Sequence, residues 1–436
     1  TKMNLKKIWL LGAFLCSAVV FTGCWKAPNL SFEETLKVYS EQNKSIKEMM
    51  SFMNDENHQV QSNAKMKITF ENDKVMKGNS EREWESFSDK KTQNAEMEAS
   101  VNVNLESKNE TTGGIWKLAT NLKLNTLLKD YQIFFKLSDF NVDTDQKESA
   151  GMILAMADAF KGKWFTLNNP ELKEVLQNSA KNSLSFWQND KLYEANIAYY
   201  TGVVSTKYDW DPAWKVDFNT EEIQNLILEM YDLSLSWEVS VASGSQETLA
   251  QQQQMRDEFQ QLLSGMKFEN TEAYFVIRSA KKVDFILKNT DFSLGEMKIK
   301  LSQEVDNDKI IAKAIVSGIN QSEDFTINLI LDRDGKGNFK INLSAEKENN
   351  KKVEKLLELS GRIKVALTDN LFSLQPQLKI NLATLGVNIE ADYSAKKIDN
   401  HTFTAPTDAQ DIQEVLGTLL GGVLPVSGTN QTLTGN

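Results

Sequence analysis

From Ala64 onward the chain alternates apolar and polar residues with a period of two. Met66, Ile68 and Phe70 interleave with Lys65, Lys67 and Thr69, and Val101, Val103 and Leu105 interleave with Asn102 and Asn104. Trp116, Leu118, Leu122 and Leu124 continue the pattern, as does the run Ile133 to Leu137. In the second half the alternation returns at 297–301, 325–331, 339–343, 363–367, 378–382 and 387–391. Residues i and i+2 share one face of a strand, so the pattern predicts long antiparallel strands with one apolar face. Asp306-Asn307-Asp308, the stretch Asp332 to Asn338, Asp369-Asn370 and Gly386 supply turns between the later strands. Connections this short predict a meander, and its many strands predict strong curvature.

A helical period replaces the alternation in a few places. Ser31 and Glu34 form a capping box before the stripe Phe32, Leu36, Tyr39, Ile46, Met49 and Met53. A second helix is predicted over 148–160 with Gly162 as its stop, and Asn169-Pro170-Glu171 opens another. Asn219 or Thr220 caps a short helix carrying Ile223, Leu226, Ile227 and Met230. A polar helix over 245–264 ends at Gly265. A last helix is predicted from Thr407, with Gln410 completing its capping box. The expected fold class is therefore α+β: a large curved antiparallel β-sheet, a half-barrel-like meander, with several packed helices.

The beginning of the chain reads differently. Lys2, Lys6 and Lys7 precede an uncharged run from Ile8 to Val20, followed by Phe21-Thr22-Gly23-Cys24. This is the layout of a secretory signal, and its apolar run is too short to span a bilayer. The ending resembles a bacterial lipobox, with Phe21 where leucine is usual, and the resemblance implies lipidation of Cys24. The expected organisation is a signal peptide at 1–23, a tether at 24–30 and an N-terminal helix plus sheet at 31–185. An aromatic-rich helical insert at 186–268 follows, then a β-meander with a C-terminal helix at 269–420 and a flexible tail at 421–436.

Charge and cysteine content narrow the function. The 436 residues carry a formal charge of −11, and loss of the first 23 residues removes three lysines and no acid. An acidic chain without a basic block argues against nucleic-acid binding. Cys16 lies in the signal and Cys24 at its end, so no thiol remains for a disulfide, metal cluster or nucleophile. No zinc, phosphate-loop or nucleophile-elbow motif is present, and three Ser-x-x-Lys matches lack a Lys-Thr-Gly companion. Asp332 to Asn338 begins like a calcium loop, but Lys336 and Leu343 stand where acidic ligands belong, so it reads as a turn. His58 and His401 sit among polar residues and read as solvated loop positions. No metal, no cofactor and no catalytic residue is expected. The densest aromatic stretch, 186–237, offers Tyr208, Trp210 and Trp214 as candidate ligand contacts, with core packing as the alternative. A short echo links FFKLSDF at 134–140 with FILKNTDF at 285–292.

The lipobox, the opening helix, YQIFFKL at 131–137, KGKWFTL at 161–167 and Phe403-Thr404-Ala405-Pro406-Thr407-Asp408 together resemble LolA/LppX-like envelope lipoprotein carriers. That resemblance implies a half-barrel whose concave face holds acyl chains or other hydrophobic ligands. The functional expectation is a non-catalytic cell-envelope lipoprotein, extracytoplasmic, attached to a membrane through its N-terminal lipid and holding a lipid or similar small molecule. The alternative is a structural or adhesive surface lipoprotein whose sheet is fully packed by its own helices, and a carboxylate-only enzyme ranks third. Oligomeric state is left open.

Overall fold

The computed structural model describes residues 30–415, apart from 54, 73–74, 109–113, 146, 168–172, 174–194, 242–245, 307, 321–322, 334–337 and 350–351. The signal segment, the tether with Cys24, the helix expected at Asn169-Pro170-Glu171 and the C-terminal tail lie outside the described residues.

The chain opens with helix α1 (Phe32–Met53), followed by strands β1 (Gln59–Asn72), β2 (Met76–Asp89), β3 (Asn94–Lys108), β4 (Ile115–Lys129) and β5 (Gln132–Thr144). Helix α2 (Lys147–Phe160) and the short β6 (Trp164–Leu167) come next, then the hairpin β7 (Tyr200–Tyr208) and β8 (Asp211–Phe218). Helices α3 (Thr220–Val241) and α4 (Gln246–Ser264) lead into β9 (Met266–Ser279), β10 (Lys282–Leu294), β11 (Met297–Asp306), β12 (Lys309–Asn320) and β13 (Glu323–Arg333). The meander ends with β14 (Asn338–Asn349), β15 (Lys352–Leu367), β16 (Leu371–Leu382) and β17 (Leu385–Ile398), and β18 (Gln410–Asp411) is a two-residue addition.

All eighteen strands belong to one sheet. Antiparallel neighbours follow chain order from β7 to β17, by hairpins except where α3 and α4 intervene between β8 and β9; β17 then pairs with β1, and the series continues through β2, β3, β4 and β5 to β6 and β18. Only the β18–β6 contact among these named pairings is parallel. Among the described residues, β7 and β18 are the two edges, so the strand order is linear rather than closed. The α+β expectation is thereby corrected: the fold is mostly β, with few helices. The physical reason is that the stretch 200–218 pairs as a hairpin within the sheet and that period-two alternation holds its register over strands of up to 16 residues.

The expected caps are present. Ser31 N donates to Glu34 Oε2 at 2.8 Å and Glu34 N to Ser31 Oγ at 3.2 Å, closing the capping box of α1. Asn219 Oδ1 accepts from Glu222 N at the start of α3. The final helix does not start at Thr407. Gln410 and Asp411 pair with Phe165 and Thr166, and Asp411 Oδ1 caps a later turn by accepting from Gln413 N at 2.8 Å. Both echo segments bear a β-bulge: one lies in β5 after Leu137 and one in β10 after Leu287.

The helices cover one part of the sheet. Phe32 and Leu36 of α1, Ile223 of α3, and Phe259 and Leu263 of α4 bury Phe275, Val283, Phe285, Ile299 and Val316. Each such side chain contributes roughly 1.5–3 kcal/mol on leaving water. This core sits on β8 to β12 and reaches Phe325 and Ile327 of β13, and the end of α1 extends further, with Phe52 packed on Val60, Phe372 and Ala395 of β1, β16 and β17. Away from these contacts, no hydrophobic cluster of the described residues brings a helix onto β14 to β17 or β1 to β4.

Candidate functional site: an apolar face backed by a polar trough

Register fixes what each face displays. One cross-strand row runs Ala312, Leu329, Leu343, Leu359, Ile380, Val387, Phe70, Gly78, Leu105 and Leu118, from β12 through β17 and β1 to β4. Of these, Leu329, Leu343, Leu359, Ile380, Val387, Phe70, Leu105 and Leu118 are half-buried, whereas Ala312 is buried beside Ile310. The apolar face is therefore continuous, and much of it remains accessible. Gly78 is required in the row because a Cβ there would stand 2.7 Å from Phe70 Cζ and 2.7 Å from the Asn104 carbonyl oxygen. The Phe70 ring lies over the backbone of β2.

One residue along, the opposite face reads Ser360, Lys379, Asn388, Thr69, Asn79, Asn104, Ala119 and Asp143. All but Ser360 line a cavity of about 1020 Å³ at one end of the sheet, together with Glu71, Lys77, Glu106, Lys117 and Asp145. Residues of seven strands share this cavity, so the polar face is concave there. Its polar groups are tied to one another. Lys77 Nζ lies 3.3 Å from Glu106 Oε1, Lys117 N donates to Asp145 Oδ2 at 3.1 Å, and Asn104 Nδ2 donates to Asn79 Oδ1 at 3.1 Å. Asn388 Nδ2 donates to Thr69 Oγ1 at 3.3 Å. Amides, ammoniums and carboxylates intermixed in this way can hold water or polar solutes, and Phe70, Leu105, Leu118 and Leu385 complete the lining where the strands end.

The candidate aromatics do not form one surface. Trp214 belongs to the core: its indole nitrogen donates to Leu30 O at 3.2 Å and its ring meets Phe32 edge-on. Tyr208 is half-buried against Tyr274, with Lys288 Nζ 5.3 Å above its ring. Trp210 stands apart at the tip of the β7–β8 hairpin and is 91% exposed.

The two histidines also separate. His58 is exposed beside Asp55, as expected of a loop residue. His401 is not a solvated loop position: its ring stacks on Phe87 at 4.0 Å, and its Nε2 lies 3.1 Å from Glu96 Oε2. The segment leaving β17 crosses the polar face here, with Phe403 buried against Leu127 and Phe134. A charged cluster lies on β8 to β10, where Arg278 Nε donates to Asp284 Oδ2 at 2.8 Å and a second guanidinium nitrogen reaches Asp211. Asp284 is only 2% exposed, and burial raises its pKa above the usual carboxylate value despite the guanidinium. Among the described residues no group of three or more His, Cys, Asp or Glu is arranged to hold a metal. No described helix is long and apolar enough to cross a membrane, which leaves strand-based crossing untouched.

The trough was not anticipated from the sequence. The polar half of the alternation does place Asn79, Asn104, Asn381 and Asn388 near strand ends, but only the curvature of the sheet brings them to one concavity.

No family model matches the chain, and no curated protein does. Among solved structures, the translocator domain of the autotransporter NalP from Neisseria meningitidis is similar at 6% identity. That match covers 84% of this chain and 98% of the other, with a TM-score of 0.21. OprB from Pseudomonas putida matches at 5% identity, over 78% and 93% of the two chains, with a TM-score of 0.20. OccK7 from Pseudomonas aeruginosa matches at 5% identity, over 78% and 98%, with a TM-score of 0.23. These are outer-membrane β-barrel proteins of the bacterial cell envelope, not LolA/LppX-like carriers, and the resemblance drawn from the sequence is corrected accordingly. The reading as a lipid-anchored carrier with acyl chains in a concave sheet falls with it, as does membrane attachment through an N-terminal lipid. The alternative of a fully self-packed adhesive sheet is overturned by the accessible apolar face of β13 to β17 and β1 to β4.

Proposed function

We propose that this is a non-catalytic cell-envelope protein that acts as a two-faced wall at a membrane, of the channel or transporter kind. Its apolar face meets hydrocarbon, and its polar trough gives polar solutes a wet path. The observation that carries this reading is the continuous, half-exposed apolar row from Leu329 to Leu118, directly behind the polar row that lines the trough. Alternation of this kind is what a membrane-facing sheet requires. The strands involved are 11 to 16 residues long, at or above the ~9–11 that a tilted strand needs to cross hydrocarbon. Open edges are costly in lipid, so β7 and β18 must lie away from the hydrocarbon or be covered. The helix-covered third, β8 to β12, suits that peripheral position.

The experiment is reconstitution of the full chain into phosphatidylcholine vesicles loaded with a small polar dye. Membrane association with dye efflux is expected. A protein that stays in the aqueous phase as a folded, soluble species would overturn the proposal.

A further inference from the structure

The β7–β8 hairpin turns through two residues, Asp209 at φ 47° and Trp210 at φ 74°. Both values lie in the left-handed region, as a two-residue turn between antiparallel strands requires. Asparagine or aspartate followed by glycine satisfies such a turn at little cost, and a bulky residue in the second position is strained. The chain places there its largest side chain and leaves it 91% exposed, so the strain is not offset by burial. Strain without an internal return is a mark of function.

The surroundings indicate what the indole meets. The tip is a narrow turn without a groove to receive a peptide. Lys207 precedes it on β7, and Lys281 is exposed in the neighbouring β9–β10 turn, at the same end of the sheet. Asp211, the nearest acid along the chain after the tip, is engaged by Arg278. An exposed indole beside the Asp209 carboxylate, with the ammonium groups of Lys207 and Lys281 at the same end of the sheet, matches the zwitterionic chemistry of phospholipid headgroups: carbonyl, phosphate and choline groups above an apolar layer.

We infer that the Asp209-Trp210 tip is a membrane-interface anchor, with the Trp210 indole seated in the phospholipid headgroup layer. This rests on the membrane-facing reading above and adds to it the part of the chain that touches the interface. The turn trades local stability for contact.

The test uses the full chain and vesicles of phosphatidylcholine brominated at the top of the acyl chains, next to the headgroup layer. Subtracting the emission of Trp210→Phe from that of the wild type isolates Trp210 from the other tryptophans. Loss of that difference emission in brominated vesicles, with the emission retained in unbrominated ones, is expected. Trp210→Gly should melt at a higher temperature than the wild type and associate less with vesicles. Wild-type flotation with vesicles but no quenching of the Trp210 emission, or full flotation of Trp210→Gly, would overturn the anchor and leave the wall. Failure of the wild type to float at all would overturn both.

Discussion

The imidazole of His401 lies flat on the ring of Phe87, 4.0 Å between centroids and 3° from parallel. That stack joins the segment after β17 to β2, and Gln59 completes the clasp by accepting from His401 N and donating to its carbonyl. Downstream, Phe403 is buried and Gln410-Asp411 extend the sheet beside β6. The sheet edge at β6 is thus held from a distance of three strands.

His401→Ala should therefore loosen the edge more than its own neighbourhood. A loss of about 1–2 kcal/mol is expected from the ring contacts and the Glu96 interaction. Hydrogen exchange should accelerate at Phe165 and Thr166 while β9 and β10 stay protected. Uniform acceleration across the sheet would refute the clasp.

A second tie operates between α1 and the sheet. Lys397 Nζ lies 2.6 Å from Asp55 Oδ2, and Asn57 N donates to the same carboxylate at 2.8 Å. Burial works to raise the Asp55 pKa, but the bonds from Lys397, Asn57 and His58 outweigh it and hold the group at about 2. A depressed carboxylate stabilises the fold above its unfolded pKa, and the contribution disappears as pH falls through the folded value. Asp55→Asn should cost about 1.5–3 kcal/mol near neutrality. The gap from the wild type should narrow between about pH 4 and pH 2. A gap independent of pH across that window would show that the ion pair is not the source.

Arg278 serves the nearly inaccessible Asp284 together with Asp211. Arg278→Ala leaves the buried Asp284 with Lys282 Nζ, 3.9 Å away, as its remaining cation, so it should destabilise by about 2–4 kcal/mol. The triple change Arg278→Met, Lys282→Met and Asp284→Leu, which removes the buried Lys282 with its carboxylate, should recover most of that loss. Chemical denaturation of the single and triple variants measures both.

Gly78→Val tests the packing of the apolar row. The added side chain meets the Phe70 ring and the Asn104 carbonyl, and the β1–β2–β3 pairing must shift to admit it. A cost of about 1–3 kcal/mol is expected, read as a lowered denaturation midpoint with an unchanged slope. A neutral outcome would mean that Phe70 does not lie over β2.

The sequence made the strands legible because alternation survives in nearly every one of them. Ile68, Ile389, Leu343 and Leu378 announce their face without any tertiary information. The hairpin 200–218 was harder to read, since Tyr200, Tyr208 and Trp214 point to different faces and the bulge after Thr201 breaks the period. The closing helix was misplaced because Thr407 and Gln410 have capping-box spacing, yet Gln410 is drawn into the sheet beside Phe165. His401 looked solvated because its local neighbours are polar. Phe87 and Glu96 reach it only through folding. The trough is a product of curvature, which brings Lys379, Asn79 and Asp143 to one concavity from three separate stretches of chain. No local pattern encodes that.

The central claim is that one face of β13 to β17 and β1 to β4 meets hydrocarbon while the other meets water. Spin labels at Leu343, Ile380, Leu122 and Leu124 on the apolar face, and at Asn342, Lys379, Lys123 and Asn125 on the polar face, report this directly in vesicles. The account predicts a period-two alternation, with oxygen collisions dominant at the first set and collisions with a water-soluble nickel chelate dominant at the second. Equal nickel accessibility at both sets would contradict it.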